Sequence, residues 1–97
     1  MPSTVHVLAR FVARPGKEDA LRAVLSSLIA PTRRELQCYQ YDLLVDANDP
    51  RQFCFVERWD GNAALEEHLA TPHVKTALAQ LEELVESPPE IRRYSVL

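Results

Sequence analysis

The first strand pattern is apolar on both faces, which restricts the fold more than any other feature of the chain. Across Thr4–Ala13, Val5, Val7, Ala9 and Phe11 alternate with His6, Leu8, Arg10 and Val12. Period-two alternation marks a strand, and a strand apolar on two sides needs cover on both. Cys38–Asp46 and Gln52–Trp59 read the same way. Tyr39, Tyr41, Leu43 and Val45 share a face of the former; Phe53, Phe55, Glu57 and Trp59 share a face of the latter. The turn-forming run Ala47-Asn48-Asp49-Pro50-Arg51 joins the two as a hairpin.

Helical periodicity fills the gaps. After a turn at Arg14-Pro15-Gly16-Lys17, Ala20, Leu21, Val24, Leu25, Leu28 and Ile29 form one stripe from Glu18 to about Ile29. Pro31 removes a hydrogen bond to the Ser27 carbonyl and so kinks or ends that helix, with Thr32–Leu36 continuing it for a turn. Asp60 is placed to cap a helix through Leu69. Thr71 caps a restart in which Pro72 is tolerated in the first turn. Val74, Ala77, Leu78, Leu81, Leu84 and Val85 then make the longest stripe, which Ser87-Pro88-Pro89 ends. Glu90–Leu97 reads as the last strand. The order is β-α-β-β-α-β, an α+β, ferredoxin-like subunit in one domain spanning 1–97. Its helices cover one sheet face only. The other is expected to pack on the sheet of a second copy, giving a homodimer.

Size and charge agree with that expectation. A chain of 97 residues buries only roughly 60–65% of its unfolded surface and gains from a partner. Eleven basic and 14 acidic residues give a net charge of −3, which argues against nucleic-acid or anionic-membrane partners. Met1-Pro2-Ser3-Thr4 leads into a strand pattern without a basic or apolar targeting segment. No apolar run approaches the roughly 18 residues of a membrane span. The expectation is a soluble, cytoplasmic protein. In the hairpin Cys54 lies opposite residue 43 or 44, which leaves Cys38 about 17 Å away. A disulfide requires Cα atoms within about 7 Å, so both thiols should be free.

The residues able to do chemistry are concentrated in Glu57-Arg58-Trp59-Asp60 and Leu65-Glu66-Glu67-His68-Leu69-Ala70-Thr71-Pro72-His73. Trp59 either fills space at the sheet end or walls an aromatic pocket with Phe55 and Tyr41. Glu57 shares that apolar face. It is either paired with Arg10 or Arg93, or acts as a general base or substrate acceptor with a pKa raised by burial. His68 shares the inward face of Leu65 and is either structural or the proton acceptor suited to neutral pH. Thr71 and His73 stand beside it. His6 falls on the second sheet face. No metal site is expected: His68 and His73 are five apart across a proline, unlike a helical i, i+4 pair, and the cysteines are solitary. There is no phosphate loop and no nucleophile elbow.

Four segments together resemble the antibiotic biosynthesis monooxygenase family of dimeric α/β-barrel proteins. They are Val12-Ala13-Arg14-Pro15-Gly16-Lys17-Glu18, Ala30-Pro31-Thr32-Arg33, Cys38-Tyr39-Gln40-Tyr41-Asp42-Leu43, and Phe55-Val56-Glu57-Arg58-Trp59 through His68-Leu69-Ala70-Thr71-Pro72-His73. The resemblance implies a ferredoxin-like subunit whose sheet pairs with its copy as a barrel. It also implies oxygenation of quinol or phenolic aromatics by O2 with no cofactor. Within the motif, Trp59 and His68 match the strand-end Trp and helix His, alongside Glu57, Thr71 and His73. His68 and Glu57 are then the catalytic candidates, and Trp59, Phe55, Tyr41, His73 and Thr71 the substrate-binding ones. Gln37 replaces a usual Gly. The first strand lacks the Asn of the haem-degrading branch, and Leu78 falls near its haem-ligating His, so that branch is disfavoured. A non-catalytic ligand-binding or stress-related dimer is the alternative. So is an isomerase of a phosphorylated signalling sugar, which requires a cationic pocket from residues such as Arg10, Lys75 and Arg93.

Overall fold

Strands β1 (Val5–Val12), β2 (Cys38–Val45), β3 (Gln52–Trp59) and β4 (Glu90–Tyr94) alternate with helices α1 (Glu18–Ser26), α2 (Ile29–Arg33), α3 (Gly61–Leu69) and α4 (Pro72–Leu81). This computed structural model describes residues 3–97. Met1 and Pro2, at the head of the segment read for a targeting signal, lie outside the described residues. The sheet order is β2-β3-β1-β4, and every neighbouring pair is antiparallel. That is the expected ferredoxin-like arrangement, with one central strand from each half of the chain.

All helices lie on one face of the sheet. Val5, Val7, Ala9 and Phe11 of β1 and Phe53, Phe55 and Trp59 of β3 are buried there against Leu21 and Leu25 of α1, Leu65 of α3 and Val74 and Leu81 of α4. Each buried Val, Leu or Phe side chain among them contributes about 1.5–3 kcal/mol. Within the single chain the other face is open. Leu8 and Leu44 are exposed on it and Val56 is half-buried, among Arg10, Arg58 and Arg92. Leu44 pairs with Cys54 as the hairpin reading required, and both cysteines are free. No helix among the described residues is long and apolar enough to cross a membrane.

Local chemistry shifts several boundaries. The first helix ends at Ser26, ahead of Pro31, and Pro31 lies inside the first turn of α2. An amide there has no helical acceptor, so its loss is harmless. A bulge between Cys38 and Gln40 adds one residue to β2. It turns Tyr39 out to solvent and brings Cys38 onto the helix-covered face in its place. Asp60 occupies the N-cap of α3 without capping it through its side chain. The chain instead bends at Gly61, whose φ of +82° favours glycine. Thr71 does cap α4, accepting from the Val74 amide at 3.4 Å. Leu78, expected in the buried stripe, is 48% exposed. The last strand stops at Tyr94, opposite His6 and next to the start of β1.

Candidate active site

Strand β3 brings Phe55, Glu57 and Trp59 to the helix-covered face by its period of two, and β2 sets Tyr41 directly opposite Glu57. Tyr41 stacks on Phe55 with ring centroids 4.4 Å apart and 25° between planes. From α3, His68 lies over the same corner. Its ring is 4.4 Å from Trp59 and 5.6 Å, edge-on, from Tyr41. The Thr32 hydroxyl, buried on α2 beside the Tyr41 phenol, lacks a well-aligned partner among the described residues. A narrow cavity of about 40 Å³ runs between sheet and helices. Phe55, Tyr41, Glu57 and His68 line it with Val7, Leu65 and Leu81, and the part-exposed Leu78 and Ile91 also border it.

Glu57 is the carboxylate most in need of explanation, since an unpaired charge in this apolar corner is costly. Neither Arg10 nor Arg93 serves it: Arg10 bonds Gln52, and Arg93 bonds Asn62 and Glu66. Its partner is Trp59, whose Nε1 donates to Glu57 Oε1 at 2.8 Å. Burial pushes the Glu57 carboxyl up to about 7, the Trp59 bond restrains the rise, and the charge of Glu35 adds to it. Glu57 is therefore poised between acid and carboxylate near neutral pH. Burial, with Glu57 charge nearby, drives the Tyr41 phenol far above its usual range, so it stays protonated.

Glu35, in the turn between α2 and β2, is the residue that sequence reasoning missed. His68 Nδ1 lies 2.8 Å and His73 Nε2 2.9 Å from the same oxygen, Glu35 Oε2. An ionised carboxylate only accepts, so each of these nitrogens carries its proton toward Glu35. That choice of tautomer leaves the His68 Nε2 lone pair free. Burial lowers the His68 pKa below its ordinary 6.5, against the raising effect of Glu35, and nearby His73 lowers it further. The imidazole is thus neutral at pH 7 and able to accept a proton.

The candidates of the sequence analysis fall into two sets. His68, Glu57, Phe55 and Tyr41 converge on the cavity. Trp59 is fully buried behind it, holding Glu57 and backing His68. His73 borders the crevice between α1 and α4 and reaches Glu35. Thr71 caps α4 and donates its hydroxyl to the His68 carbonyl at 2.7 Å, which joins the two helices beneath the histidine. Glu35, His68 and His73 form the one three-residue group of potential metal-ligating side chains among the described residues. Spacing could not reveal it, because Glu35 is 33 residues from His68 and 38 from His73.

The fold is that of an α+β, ferredoxin-like subunit with helices on one face of a four-stranded antiparallel sheet. Residues 4–80 match the antibiotic biosynthesis monooxygenase family, and the chain belongs to it. Among its relatives is Rv0793 of Mycobacterium tuberculosis, which carries a provisional monooxygenase name. It is 43% identical over 88 residues, covering 91% of this chain and 86% of the relative. The solved structure of Rv0793 superposes with a TM-score of 0.92 at 39% identity, over 98% of this chain and 96% of that one. PA3566 from Pseudomonas aeruginosa superposes with a TM-score of 0.94 at 35% identity, over 100% of this chain and 97% of its own.

Proposed function

We propose that the protein is a cofactor-independent monooxygenase that oxidises a phenolic or quinol-type aromatic with O2, and that His68 is its base. The observation that carries the reading is the His68–Glu35 contact of 2.8 Å. It orients a neutral imidazole on a residue that lines the apolar cavity and leaves Nε2 as the nitrogen able to take a proton. His68 Nε2 takes the phenolic proton. The resulting anion gives an electron to O2, one oxygen atom enters the ring system, and the other leaves as water with two hydrogens from the substrate. Phe55 and Tyr41 supply stacking surface, and Glu57, half-protonated near pH 7, donates to or accepts from a second substrate oxygen. Apolar walls keep water from the reactive intermediate.

At about 40 Å³ the cavity is far smaller than the roughly 300–1,000 Å³ of ligand sites. Substrate must therefore enlarge it, and the part-exposed Leu78 of α4 and Ile91 of β4 mark where it borders solvent. The open sheet face, with Leu8, Val56 and Leu44, is the surface on which a second copy would close a barrel. Among the described residues no Lys or Arg lines the cavity, which argues against a phosphorylated substrate. The test is oxygen uptake with reduced naphthoquinols and polycyclic phenols, wild type beside His68→Ala, with autoxidation subtracted. Uptake by wild type alone, with one added oxygen in the product mass, is expected. Uptake no faster than the protein-free control across the panel would favour a non-catalytic binding protein.

A further inference from the structure

The Glu35–His68–His73 cluster has a second capacity that proton transfer does not use. Two imidazole nitrogens and one carboxylate oxygen, all within 4.8 Å of one another, make a His₂Glu donor set, which zinc accepts while keeping a fourth position for water. A tetrahedral zinc with bonds of about 2.0–2.1 Å holds its donors roughly 3.3–3.4 Å apart. The present contacts of 2.8 and 2.9 Å therefore need to widen by about half an ångström, and the two imidazole nitrogens, within 4.8 Å of each other, need to take the same spacing. The side chains of Glu35 and His73 are 20% and 25% exposed, so an ion reaches them from solvent, whereas His68 is 4% exposed and fixed. His73 is the second residue of α4, next to the Thr71-Pro72 restart, where a small adjustment disturbs little packing.

We infer that this cluster is an inhibitory zinc site, which switches off proton abstraction by taking the nitrogen that now faces Glu35. Zinc on His68 Nδ1 and His73 Nε2 releases the proton of each nitrogen to water, and each neutral ring takes one back from water at its other nitrogen, Nε2 in His68. Each imidazole gains and loses one proton, so its charge is unchanged, but the Nε2 lone pair of His68 is gone. Binding itself depends only on the three donors; the inhibition rests on the proposed role of His68 as base.

The experiment is calorimetric titration of zinc chloride into chelator-treated full-length protein, beside His73→Ala, Glu35→Gln and His6→Ala. Circular dichroism checks that each variant is folded. One zinc per chain in the micromolar range or tighter is expected, weakened at least about tenfold by loss of either donor and unchanged in His6→Ala. Cobalt substitution adds a second readout, an intense visible absorption in wild type that His73→Ala lacks. Saturation of wild type with zinc should then suppress oxygen uptake by at least about tenfold, and removal of the zinc by chelator should restore it. Absence of micromolar binding, or binding that neither His73→Ala nor Glu35→Gln weakens, would overturn the site. Normal binding to wild type without loss of an otherwise measurable uptake would overturn the inhibition, and no uptake even in metal-free wild type would count against the proposed chemistry instead.

Discussion

The candidate site has two halves that differ in how the chain builds them. The sheet half, Phe55, Glu57 and Trp59 on β3 with Tyr41 opposite, is fixed by strand register and sealed from water. The helix-end half, Glu35, His68 and His73, is gathered from three separate segments and stays partly open. Each half holds one carboxylate. Burial makes Glu57 a weak acid with one tryptophan partner, whereas the partly exposed Glu35 accepts from two histidines, one buried and one partly exposed. The same chemical group thus tunes protonation in one half and orients a base in the other. This difference is what substitutions can break.

The largest effect is expected at the junction. His68→Ala should lower kcat for an accepted quinol by at least about 10²-fold with little change in KM, measured by oxygen uptake. Equal losses in rate and affinity would make His68 a binding residue. In the sheet half, Glu57 governs stability against pH. Its folded pKa is raised from 4.5 to about 7, so the folded state holds the proton more tightly. The associated stabilisation is complete below pH 4.5 and is lost as pH rises through 7, an effect of roughly 3 kcal/mol. Glu57→Gln should remove that decline, gaining on wild type between pH 5 and pH 8 in urea unfolding. His68 acts with the opposite sign. Its lowered pKa adds stability above pH 6.5 that is lost as pH falls through the folded value. Both proteins share this contribution, so it largely drops out of their difference.

Smaller effects sharpen the contrast from the helix-end half. Glu35→Gln exchanges a charged acceptor for a neutral one and should reduce kcat by about tenfold. The acid limb of its pH–rate profile should move to lower pH, since the Glu35 charge raises the His68 pKa. A limb that does not move would mean that Glu35 supports the helix ends only. Thr71→Ala removes the cap of α4 and the bond to the His68 carbonyl. It should cost about 1 kcal/mol in thermal or urea unfolding.

The two halves also differ in how far the sequence foretold them. Period-two alternation puts Phe55, Glu57 and Trp59 on one face, so this part of the sheet half was legible, while the hairpin length left Tyr41 opposite residue 56 or 57 until the register settled it at Glu57. Even there the bulge at Tyr39 escaped, because an inserted residue leaves the alternation of its neighbours unaltered. The partner of Glu57 was sought across strands at Arg10 and Arg93 but lies two residues along the same strand at Trp59. Glu35 was illegible. It falls in a short turn after a five-residue helix, and only the placing of that turn against the end of α3 and the start of α4 carries it to the histidines. Sequence spacing speaks to neighbours within an element, whereas this cluster depends on where elements end relative to one another.

Burial keeps His68 neutral, and Glu35 fixes its proton on Nδ1, which leaves the Nε2 lone pair free. The most direct measurement is nitrogen-15 NMR of the imidazole rings across a pH titration of metal-free protein, with His68 assigned by comparison with His68→Ala. The account predicts a protonated Nδ1 and an unprotonated Nε2 at pH 7, with a titration midpoint below 6.5. An imidazolium at pH 7, or a proton on Nε2, would contradict it.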